Sequence, residues 1–95
     1  MTHTEVAELF AEACNAWVKS ETATDPPVQA CQEALIVTTN LSGDLRHSVP
    51  ARLQERLANL ATSLSVARAI ANPWPELTQA IEATELAMQE AWKLT

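Results

Sequence analysis

The sequence predicts an all-α protein, an antiparallel up-down-up-down four-helix bundle, and three observations carry that reading. The chain is rich in Ala and Leu, with a single Gly, a single Phe and no Tyr. Such a composition favours helix, because Ala and Leu surrender little rotamer freedom there. The five prolines fall in three places, and each place opens a helical pattern. Proline is tolerated in a first turn because those amides have no intrahelical acceptor. Between these places apolar residues recur at steps of three and four, the period of one helical face. Short connections then make consecutive helices antiparallel neighbours. Ninety-five residues are one domain with one core.

The first helix is predicted over Thr4–Ser20. Val6, Phe10, Ala13 and Trp17 form its inward stripe, with Leu9 and Cys14 beside it. Thr2-x-x-Glu5 has the form of a capping box at its start.

The second helix is predicted over Pro27–Ser42, opened by Asp25-Pro26-Pro27 and ended by Gly43 as a left-handed cap. The run "ALIVTT" has strand character of its own, since Ile, Val and Thr are β-branched. No second run of that kind exists to pair with it, and a lone strand leaves its amides unpaired. Read as a helix, the segment carries two apolar faces, taken as about half a turn apart. Val28, Cys31, Leu35 and Thr38 make one; Ala30, Ala34, Val37 and Leu41 make the other.

The third helix is predicted over Val49–Ala71, with Ser48 as its cap and Pro50 in its first turn. Its stripe of Val49, Leu53, Leu57, Leu60, Leu64, Ala67 and Ala71 is the seam of a bundle. The fourth, predicted over Trp74–Lys93, follows Asn72-Pro73-Trp74-Pro75. It aligns Leu77, Ile81, Thr84, Met88 and Trp92, with Ala80 and Ala91 alongside.

A formal charge of −6 argues against nucleic acid as a partner. All four arginines, Arg46, Arg52, Arg56 and Arg68, lie in one stretch whose only acid is Glu55, so pairing with carboxylates on adjacent helices is expected. No aromatic residue is interleaved there for stacking on bases. No apolar stretch reaches the ~20 residues of a membrane span, and the first residues lack the basic and apolar regions of a signal peptide. Two cysteines without close pairing suit a reducing compartment, so a cytoplasmic location is expected.

No constellation for catalysis, cofactor or metal emerges. Glu5, Glu8 and Glu12 share one face of the first helix, and Glu82 and Glu85 pair on the fourth. Carboxylates at such spacing do chemistry only with burial or a convergent partner, and a solvated acidic face is the plainer account. His3 and His47 complete no Glu-x-x-His motif. Cys14 and Cys31 read as small buried hydrophobes, and Gly43 alone cannot build a phosphate loop.

One feature of the second helix does point outward. A single face satisfies the bundle, so the other is either buried under the neighbouring helices of the same chain or meets a second chain, and a second chain is the expectation. Val37, Leu41 and the flanking Ala30 and Ala34 would otherwise expose about 200 Å² of apolar surface. Burying that area would contribute about 5 kcal/mol per chain before association costs. Val66, Ile70 and Leu86 lie off their helices' inward stripes and extend the candidate interface. Trp74, held between prolines in "NPWPE", is a lid or a contact anchor. The expected function is a non-enzymatic adaptor, regulator or inhibitor that self-associates as a homodimer and binds another protein. The competing expectations are a bundle that binds a small molecule among Met88, Cys14, Cys31 and the tryptophans, and a small subunit of a larger enzyme or nucleoprotein assembly.

Overall fold

The computed structural model describes residues 2–23, 28–71 and 75–95, with side chains for all of these except 20–23, 28–31, 71 and 76. Four helices follow one another: α1 (His3–Ala23), α2 (Val28–Leu45), α3 (Leu53–Ala71) and α4 (Pro75–Trp92). Each packs on its neighbours in the chain, and α1 closes the ring against α4. The result is an antiparallel up-down-up-down four-helix bundle, elongated at 35 × 20 × 17 Å.

The start of α1 follows from its capping residues. The Thr2 backbone N–H donates to Glu5 Oε1 at 3.1 Å, and the Glu5 N–H donates to Thr2 Oγ1 at 3.2 Å. Two amides that the helix cannot satisfy internally are thereby paired. The Thr2 backbone N–H foremost, and then the Thr2 side chain, hold the Glu5 carboxyl below its ordinary range.

The core is built from the stripes that periodicity selects. Val6, Phe10, Ala13 and Trp17 of α1, the Leu53–Leu57–Leu60–Leu64–Ala67 series of α3, and Leu77, Ala80, Ile81, Thr84 and Ala91 of α4 are all buried. Ala7 and Ala87 join them. Trp17 sends its indole N–H to Thr84 Oγ1 at 2.9 Å, and that hydroxyl donates onward to the Ala80 carbonyl at 2.8 Å. A large ring therefore enters the core with its polar atom paired, and α1 is fixed in register on α4.

Two expected boundaries move in ways that change the core. Gly43 does not end α2 in a left-handed turn; it lies inside the helix, its φ is not positive, and the helix continues through the buried Leu45. Continuing the helix stabilises the chain by adding Leu45 to the core, which outweighs the modest penalty of an interior glycine. The third helix begins at Leu53 rather than Val49. Arg52 has φ 60°, a left-handed conformation through which a right-handed helix cannot propagate. Its carbonyl accepts the Arg56 N–H at 3.0 Å, so Arg52 stands at the entry to the helix where Ser48 was expected. Val49 consequently lies in the connection, 44% exposed, not on the core stripe. Trp92, expected on the α4 stripe, is 40% exposed at the end of that helix.

The two faces of α2 also resolve differently. At 100° per residue their mean directions are about 110° apart, closer to a third of a turn than a half. One broad inward arc can cover them. Ala34, Thr38, Leu41, Ser42 and Leu45 are buried, with Leu35 and Val37 half-buried on its shoulders. The polar members bond within the fold: Thr38 Oγ1 donates to Ala34 O at 2.6 Å, and Ser42 Oγ reaches Ala7 O on α1 at 3.3 Å. The expected caps and turns at Asp25, Pro26, Pro27, Asn72 and Pro73 lie outside the described residues, as do the side chains of Val28, Cys31 and Ala71.

Candidate functional site

The expected interface residues separate into three groups. Ala34 and Leu41 are wholly enclosed in the chain's own core, so they are corrected from contact residues to core residues. They lie on the side of α2 that turns toward the bundle, and a second molecule cannot reach them. Val66 and Leu86 are 51% and 52% exposed, while Val37 and Ile70 are half-buried. Ala30 and Trp74 fall outside the side chains described.

The structure brings Val37 and Val66 together. Both line a groove of about 380 Å³ between α2 and α3, with Glu33, Asn59, Thr62 and Ser63. Leu86 lies apart on α4, flanked by Glu82 and Glu90 at one turn's spacing to either side. Ile36, 54% exposed, was missed from the sequence. The signal was available: at 100° per residue it points nearly opposite Thr38, the centre of the inward arc.

The surface around the groove has an unusual charge pattern. From Ala34 to Gly43 α2 carries no charged side chain, and from Leu57 to Ala67 neither does α3. Because the two helices run antiparallel, these stretches lie side by side. Charges frame them at the ends. Asp44 Oδ2 accepts from Arg56 Nη1 at 2.6 Å across the α2–α3 seam, and Glu33 stands at the groove's other end. On the far flank of α3, Arg68 is bound to Glu85 of α4. Two of the four arginines thus pair with adjacent helices; Arg46 and Arg52 form no ion pair among the described residues.

The other sequence candidates do not converge. Glu5, Glu8 and Glu12 are exposed along α1. Cys14 Sγ lies 3.6 Å from Thr39 Oγ1 in the α1–α2 seam, whereas Met88 lines a separate cleft of about 220 Å³ between α3 and α4 with Leu64, Arg68 and Glu85. Among the described residues no group of three His, Cys, Asp or Glu side chains could hold a metal ion, and no helix is long and apolar enough to cross a membrane. Comparisons with protein-family models, with curated proteins and with solved structures gave no match to this chain.

Proposed function

We propose that this protein is a non-enzymatic interaction module, an adaptor, regulator or inhibitor that works by docking and that associates with itself. The observation that carries the reading is surplus apolar surface. After the core is filled, α1, α2, α3 and α4 still present Val18, Ile36, Val66 and Leu86, each more than half exposed. Scattered single residues of this kind are ordinary on a surface. Val37 and Val66, by contrast, line one groove from two adjacent helices, with Ile36 next to Val37 in the chain, and grooves of this kind are how docking surfaces are built. Light scattering across a concentration series tests the proposal. Self-association appears as a mass that rises from one chain toward two with concentration. A mass of one chain throughout the micromolar to millimolar range removes the self-associating part of the reading.

A further inference from the structure

We infer that the occupant of the uncharged α2–α3 face is a second copy of this chain. The inference rests on the self-association proposed above and says where it takes place. Electrostatics selects the face. A chain of net charge −6 repels its own copies over most of its surface. Leu86 on α4 is a case in point: two copies meeting there would bring the exposed Glu82 of each to the contact, whereas the other flanking carboxylate, Glu90, has a cation, Lys93, beside it. At the α2–α3 face the carboxylates are confined to the ends, where Glu33 lines the groove one turn before Val37 and Glu55 lies one turn before Asn59. Ile36, Asn40, Asn59, Thr62 and Val66 are exposed and uncharged, and Val37 is half-buried among them.

The chemistry of the face also suits a copy better than an oppositely charged partner. A surface evolved to receive a basic or acidic protein carries the complementary charge across it. This one holds its charges at the ends: Asp44 and Arg56 neutralise each other at one, and Glu33 stands at the other without an ion pair among the described residues. Its centre mixes aliphatic groups with side-chain amides and hydroxyls. Amides both donate and accept, so Asn40 and Asn59 can pair with their own kind across a two-fold axis.

Area sets the size class of the contact. Ten or so residues of helix rise about 15 Å, and two helices side by side are about 20 Å wide. The face therefore offers roughly 300 Å² in projection and on the order of 600 Å² of accessible surface per copy, the low end for a specific interface. The dimer is accordingly one that dissociates on dilution through the micromolar range.

Sedimentation velocity on the whole chain and two variants tests the inference, with circular dichroism to verify folding. Val66→Glu sits on the proposed face and Leu86→Glu off it, at nearly equal exposure. The expected result is a dissociation constant raised at least tenfold by Val66→Glu and changed less than threefold by Leu86→Glu. If Val66→Glu perturbs the fold, Ile36→Glu on the neighbouring helix serves in its stead, with the same expectation. Wild-type dimers that survive both Val66→Glu and Ile36→Glu would overturn the assignment of the face while leaving self-association intact. A wild-type chain that never dimerises would overturn the underlying reading instead.

Discussion

The α1–α4 side of the bundle and the α2–α3 side are built on different terms. Contact between α1 and α4 is the most extensive of any helix pair, and contact between α2 and α3 is less than half as extensive. Alanines contribute to the closeness of the first pair. The inward face of α4 includes Ala80, Ala87 and Ala91, and that of α1 includes Ala7 and Ala13, all fully enclosed. Small residues let helix axes approach. The Trp17–Thr84 hydrogen bond then locks the close pair. On the outside the contrast reverses. The close pair is covered with carboxylates, at Glu5, Glu8 and Glu12 on α1 and Glu82 on α4, while the looser pair is uncharged along its middle. Cohesion is concentrated on one side, and the uncharged surface proposed for docking lies on the other.

Leu41→Glu tests the comparison hardest. If Leu41 belonged to an outward face, a carboxylate there would be tolerated. Because it is enclosed, the charge must be buried without a partner, which costs more than about 4 kcal/mol and approaches the whole stability of a small domain. Loss of the helical signal at room temperature is the expected outcome, and a cooperative melt close to wild type would place Leu41 outside.

Thr84→Val is the next in size. It preserves volume and removes the acceptor 2.9 Å from the Trp17 indole, so about 1–2 kcal/mol of stability should be lost in urea unfolding. A neutral result would mean that alanine packing alone sets the α1–α4 register. Gly43→Ala works in the opposite direction. A Cβ built at Gly43 meets nothing within 4 Å, and the backbone there is helical. Alanine should therefore stabilise by about 0.5–1 kcal/mol. Destabilisation would restore the left-handed cap that the sequence suggests.

The smallest effect concerns acid. Glu5 is held below its ordinary pKa by the Thr2 backbone N–H and then the Thr2 side chain. A carboxyl depressed in the folded state stabilises fully above its unfolded pKa, and the contribution disappears as pH falls through the folded value. Wild type should therefore melt above Glu5→Gln at neutral pH, with the difference closing as the solution is acidified through and below the usual carboxylate range. A gap that is independent of pH would mean that the charge of Glu5 plays no part in the cap.

Much of this architecture is legible in the residues. The spacing of Phe10 and Trp17, of Leu53 through Leu64 and of Leu77 through Thr84 fixes which side of each helix turns inward, because side-chain direction about a helix axis follows from a 100° step alone. The Thr2–Glu5 cap is equally local: both partners lie within one turn, so no distant part of the fold is needed to specify it. What periodicity does not supply is the position of the neighbours. Whether Leu41 and Val37 share one arc or face different molecules depends on how wide a sector α1 and α3 jointly cover. Whether Gly43 caps or continues α2 depends on the reward for burying Leu45, and the entry to α3 shifts to Arg52 because the backbone there turns left-handed. Charges remote in sequence meet only when the chain folds back on itself, as Asp44 and Arg56 do. The sequence by itself therefore determined four rods and their greasy sides, while the tertiary structure decided which of the remaining apolar residues stand together on open surface, since that is a relation between helices and not a property of any one.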